Sequence, residues 1–201
     1  MITSKFQRFC AFTLPSFAGD QLYMHPIELD GPLVLPAALE HWIGAIDRLL
    51  KWSPIRKGIA FVTIDQRRIE GGTSHRRPGP HVDGNFIFDW GGGGWLTGEN
   101  GRVLGPEDHR RQYCSPGGGF LIASDFEGCR AWIGEFDRAP LQGGNCEHIK
   151  NQLADAYSFI LKPNVAYWGN STGVHESLPL RESFNRSLLR ITLPPDASEL
   201  M

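Results

Sequence analysis

With 201 residues, 24 glycines, 14 prolines and a formal charge of −2, the chain suits one turn-rich core of short strands rather than a helix bundle, and it has no global pull towards nucleic acid or an anionic membrane. No stretch approaches the ~20 apolar residues of a membrane span. The four cysteines, Cys10, Cys114, Cys129 and Cys146, are scattered with no C-x-x-C pair, which argues against a zinc knuckle or a disulfide scaffold and makes a reducing cytoplasm the expected setting.

Residues 1–19 place Lys5 and Arg8 ahead of apolar residues, but Arg8, Thr13, Pro15 and Ser16 break the continuous run that a signal peptide needs. Residues 37–51 carry Leu39, Trp42, Ile43, Ile46, Leu49 and Leu50 at spacings of three and four behind Pro36, which predicts an amphipathic helix. Residues 57–69 and 81–90 read as strands rich in β-branched and aromatic residues. Between glycine runs at 91–94 and 117–119, Asn100-Gly101 is a hairpin signal, so residues 91–119 are expected to be an insertion of the lid type between two core strands. Further strands are expected at 120–126, 129–136, 156–162, 165–170 and 187–193, with a short helix at 147–155 and a frayed tail at 194–201. The pattern predicts a mainly β (α+β) fold, a double-stranded β-helix or jelly roll of the cupin-like kind with flanking helices.

Chemistry concentrates in "SHRRPGPHVDGNF". In an extended strand His81 and Asp83, at i and i+2, share a face and can reach one metal ion. H-x-D alone is common, and as an isolated pair it reads more simply as a surface salt bridge. His175, behind the "GNSTG" turn, adds a remote second imidazole. Two histidines and a carboxylate match the facial triad that binds iron(II) and leaves positions open for oxygen and substrate, a better fit than catalytic zinc. In "NRSLLRITL", Arg186, Leu188, Arg190 and Thr192 lie on one face and Ser187, Leu189, Ile191 and Leu193 on the other. If the first face points inward, its arginines require an anion, because an unpaired buried guanidinium costs several kcal/mol; if it points outward, both are simply solvated.

The order H-x-D, His175, then Arg186 eleven and Arg190 fifteen positions later resembles the iron(II)- and 2-oxoglutarate-dependent dioxygenases. The H-x-D…H-x10-R spacing is similar to that of the taurine dioxygenase and clavaminate synthase branch. The resemblance spans about residues 57–193 and implies a single oxygenase domain in which His81, Asp83 and His175 ligate Fe(II). It also implies that an arginine of the last core strand grips the distal carboxylate of 2-oxoglutarate, whose keto-acid end chelates the metal while O2 takes the remaining position, for hydroxylation of an unactivated C–H bond. Arg186 has the family spacing, and Arg190 with Thr192 forms an R-x-T like the family's R-x-S; the sequence leaves both open. The other arginine is then available to an anionic group on a small-molecule or side-chain substrate, in keeping with the basic pair Arg76-Arg77; together with Arg67 and Arg68 this pair reads as one local basic stretch or as a solvated loop face.

Two other readings stand beside this one: a cupin-like metal enzyme without 2-oxoglutarate, and a non-catalytic jelly-roll binding module. Phe86, Phe88, Trp90 and Trp168 read as core aromatics or as the lining of a dry pocket. A zinc site from His109, Cys114, Cys146 and His148 has no recognised spacing, and Ser171, Thr172 and Ser177 form no nucleophile elbow.

Overall fold

The computed structural model describes residues 2–83, 119–138, 140–141 and 144–194. The expected lid at 91–119, apart from its last residue Gly119, the hairpin within it, and the tail beyond Pro194 lie outside these residues, as do strand residues 84–90. Ten strands are described: β1 (Ile2–Ser4), β2 (Phe6–Ala11), β3 (Gln21–Glu28), β4 (Ile59–Ile69), β5 (Gly119–Ser124), β6 (Cys129–Phe136), β7 (Tyr157–Ile160), β8 (Val165–Gly169), β9 (His175–Ser177) and β10 (Phe184–Leu193). They form two antiparallel sheets. The larger runs β2-β8-β5-β10-β4-β3; in the smaller, β6 pairs with β1, β7 and β9.

The alternation along β10 shows how the layers are built. Leu189, Ile191 and Leu193 join Val62, Ile64 and Leu121 of the neighbouring strands in a cluster capped by Trp42, Ile46 and Leu49. These last three come from a 3-10 turn, Ala37–Trp42, that runs into helix α1 (Ile43–Leu50), so the helix covers the outer face of the large sheet. Leu188 points the other way and packs with Phe120, Ile122 and Tyr167 of the large sheet and with Cys129 and Ala131 of the small one. Because successive strand residues alternate, Arg186, Arg190 and Thr192 share Leu188's direction and lie between the sheets. A second helix, α2 (Lys150–Asp155), extends the 3-10 turn Glu147–Ile149 and contributes Leu153 to a cluster with Trp132, Phe136 and Val174, on the outer face of the small sheet.

The predicted helices and later strands are present within a few residues of their expected bounds. Residues 2–28 hold three strands that the periodicity did not announce. In β3 the register to β4 shifts between Leu22 and His25, where Met24 has φ of 49°, and Pro26 lies two residues on; a bulge of this kind destroys the period-2 signal. β9 is only three residues long, below the length at which alternation can be recognised. No helix among the described residues is long and apolar enough to cross a membrane.

Candidate metal centre

His81 lies one strand beyond β9. Its backbone N–H donates to the His175 carbonyl, and the His175 N–H donates back to His81, both at 2.9 Å. This reciprocal pair sets the two imidazoles side by side, with centroids 4.5 Å apart. Alternation then sends Asp83 the same way as His81 and Val82 the opposite way, where Val82 is buried in the cluster under α2. The segment is pinned from its other side as well: Val82 N–H donates to the Gly144 carbonyl and Cys146 N–H to that of Pro80. Gly144 has φ of 75°, and a Cβ there would collide with the Val82 carbonyl oxygen, so only glycine allows this approach.

The ligand atoms of His81, Asp83 and His175 lie within 4.8 Å of one another, and all three residues are buried. Each histidine is held by its own turn: Nδ1 of His81 is 2.7 Å from the Gly79 carbonyl oxygen and Nδ1 of His175 is 2.9 Å from that of Gly173. A carbonyl can only accept, so Nδ1 donates in both rings and Nε2 is the atom that a neutral imidazole has free for a metal, the arrangement that orients a histidine for ligation. Burial, with His175 as neighbour, pushes the pKa of His81 down to about 3, so its ring is neutral at physiological pH. Burial disfavours the ionised Asp83 carboxyl, but the field of the Arg190 guanidinium, the strongest of its charged neighbours, holds it below the usual carboxylate range. Asp83 Oδ1 accepts from Arg190 Nη1 at 2.9 Å and lies 3.7 Å from His175 Nε2. Its Oδ2 is buried without a partner. A buried carboxylate with one orphaned oxygen, gathered with two imidazoles whose ligand atoms lie within 4.8 Å of it, is a donor set that a divalent cation satisfies, and the residues therefore fit a metal.

Both arginines of β10 lie between the sheets, as the inward alternative requires. Arg190 donates through Nη1 to Asp83 and through Nη2 to Thr192 Oγ1 at 3.2 Å, with its guanidinium 5.6 Å from the centroid of the Phe120 ring. Thr192 thus touches Arg190. Arg186 is 1% exposed; its Nε donates to Ser124 Oγ at 3.1 Å, while Nη1 is buried with no partner. A cavity beside it is lined by Ile122, Ser124, Cys129, Leu161, Tyr167 and Arg186. Burial lowers the Arg186 pKa, against the opposing fields of Cys129, Asp125 and Asp65.

A further polar cluster escaped the sequence reading. Asp65 Oδ2 is 2.8 Å from Arg67 Nη2, 3.0 Å from His75 Nε2 and 3.5 Å from Arg76 Nη1. Arg67 also donates to the His75 carbonyl, which ties β4 to the chain leading into His81. Burial depresses the His75 pKa, and it opposes ionisation of Asp65, where His75, Arg67 and Arg76 outweigh it and keep the carboxyl low. The only sequence signal was an acidic residue among inward positions of β4. Arg67 and Arg76, read there as a basic stretch, converge on this one carboxylate.

Trp168 packs against the cluster under α1 rather than between the sheets, which removes it from any pocket at the triad; Phe86, Phe88 and Trp90 lie outside the described residues. Cys146 is fully buried in the cluster under α2, and burial raises its thiol to about 11. Among the described residues it joins no metal-ligating group; His109 and Cys114 lie outside them. No protein-family model, curated protein or solved structure matches the chain, so the functional reading rests on this geometry.

Proposed function

We propose that the protein is a non-haem iron(II), 2-oxoglutarate-dependent oxygenase on a double-stranded β-helix. Support for the fold comes from the order in which the chain visits the two sheets. From β4 on it passes to the His81 segment beside β9, back to β5, across to β6 and β7, to β8, to β9 and finally to β10. Alternation of this kind is what a jelly roll of two Greek keys requires.

The observation that carries the function is the pairing of two features in one interior: a buried His81–Asp83–His175 set with an orphaned carboxylate oxygen, and a nearly inaccessible Arg186 whose Nη1 has no partner. An unpaired buried guanidinium is a standing cost that a bound anion would offset. The bound metal and keto acid would supply oxidative chemistry with O2, leading to hydroxylation of a C–H bond in a small-molecule or side-chain substrate. His81, Asp83 and His175 would hold the iron and leave three positions open. Arg186 would take the distal carboxylate of 2-oxoglutarate, with Ser124 fixing its Nε, whereas Arg190 is already engaged with Asp83. The apolar walls of Ile122, Leu161 and Tyr167 would exclude water and strengthen that ion pair. The free thiols of Cys10, Cys129 and Cys146 suit a cytoplasmic setting.

The test is anaerobic titration with Fe(II) and 2-oxoglutarate, followed by the visible metal-to-ligand charge-transfer absorption of a chelated keto acid. The band is expected in the wild type and absent in His175→Ala. Iron uptake without the band would leave a cupin-like metal enzyme; no uptake would leave a binding module.

A further inference from the structure

The Arg190 side chain is fixed on three sides. Nη1 donates to Asp83 Oδ1, Nη2 donates to Thr192 Oγ1, and the guanidinium packs over Phe120, which also lies 5.2 Å from the His175 ring. Arg190 and Asp83 are 14% and 9% exposed, so water competes little for this bond. Of the two Asp83 oxygens, one is thereby tied to β10 and the other has no partner. Among the described residues Arg190 makes the hydrogen bond to the Asp83 carboxylate, and the next polar contact is His175 Nε2, 3.7 Å from Oδ1, whereas the backbone carbonyl of its own turn steadies each histidine. We infer that Arg190 is the positioning residue for Asp83: it fixes the rotation of the carboxylate towards the two imidazoles, with Thr192 locking the fork, and it is not the anchor for the keto acid. This rests on the metal-centre reading and adds a residue that acts through a ligand rather than as one.

The charge makes the test decisive. A guanidinium beside a dication repels it, so removing the charge alone would tighten metal binding; because the same guanidinium also favours the ionised Asp83 carboxyl, affinities are compared at increasing pH, where a loss that persists reports lost orientation and one that disappears overturns the inference. Co(II), which needs no reductant, is titrated into the metal-free protein by calorimetry and by its visible d–d absorption. Arg190→Met is expected to bind Co(II) roughly 10- to 100-fold more weakly, the usual effect of cutting a partner that orients a ligand, and to alter the band shape. Arg190→Lys, which keeps a cationic donor, is expected to recover part of both, and Thr192→Val to give a smaller loss with the charge intact. Arg186→Met serves as the contrast, with Co(II) affinity and spectrum as in the wild type and 2-oxoglutarate binding lost. Wild-type or tighter Co(II) binding in Arg190→Met, with an unchanged band, overturns the inference while leaving the metal centre standing. If Arg190→Met does not fold, wild-type affinity in both Arg190→Lys and Thr192→Val overturns it equally. Failure of the wild type to take up Co(II) overturns the metal centre itself and the inference with it.

Discussion

Replacing Arg186 with methionine separates a functional buried charge from a structural one, because the two roles predict opposite changes in stability. The guanidinium is 1% exposed, Nη1 is unpartnered, and Asp125 and Asp65 act on it only through space. Exchanging such a group for an apolar side chain of similar length is neutral or stabilising, by roughly 1–4 kcal/mol. The exchange forfeits the bond from Nε to Ser124, about 1 kcal/mol, although Ser124 Oγ still donates to the Ser187 carbonyl at 3.0 Å. The expected net is a gain of ~1–2 kcal/mol, with Tm rising by roughly 2–4 °C per kcal/mol for a chain of this size. Urea unfolding followed by tryptophan fluorescence gives the free energy, with the m-value as a check that the compactness of the unfolded state is unchanged. Tm measured with Mn(II) and 2-oxoglutarate reads the function: wild type is stabilised by binding and the variant by the metal alone. A loss of more than about 2 kcal/mol, or a keto-acid shift that survives in the variant, would show that Arg186 is a structural partner and refute the argument.

His81→Ala and Asp83→Ala are each expected to abolish iron uptake with far-UV circular dichroism unchanged; stoichiometric iron in either variant would dissolve the triad. Asp65→Asn removes the single carboxylate shared by His75, Arg67 and Arg76, and is expected to cost ~2 kcal/mol at pH 7. That lies below the roughly 3–5 for a fully buried pair, because Arg67 and Arg76 are 44% and 32% exposed and can turn to water. Since the folded Asp65 pKa is depressed, its contribution is complete above the unfolded value of about 3.8 and is lost as pH falls through the folded one. The difference between wild type and Asp65→Asn in denaturant unfolding should therefore narrow below pH 3.8, and a difference constant down to the acid limit of the folded state would contradict this. Gly144→Ala forces a Cβ against the Val82 carbonyl at positive φ. A cost of ~1–3 kcal/mol is expected together with weaker iron uptake, because the same segment carries Asp83; unimpaired iron affinity would show that the 144–146 contact does not position the site.

The amino-acid sequence by itself determined the elements that write their own period: the helix after Pro36, strands β4, β5, β6 and β8, and the two faces of β10. It also determined the chemical types at the site, since H-x-D on an extended segment already commits two ligating side chains to one direction. Tertiary structure alone decided which face of β10 is the interior, because identical alternation results whether α1 covers Leu189 or Leu188. It decided that Arg190 and Asp83, over a hundred residues apart, form an ion pair while Arg186 stays without a partner for Nη1. It likewise decided that Asp65, His75, Arg67 and Arg76 converge on one point. Local periodicity records only which residues of a segment point together. What they point at is set by strand order and register, which depend on contacts between segments distant in the chain and leave no trace within either one.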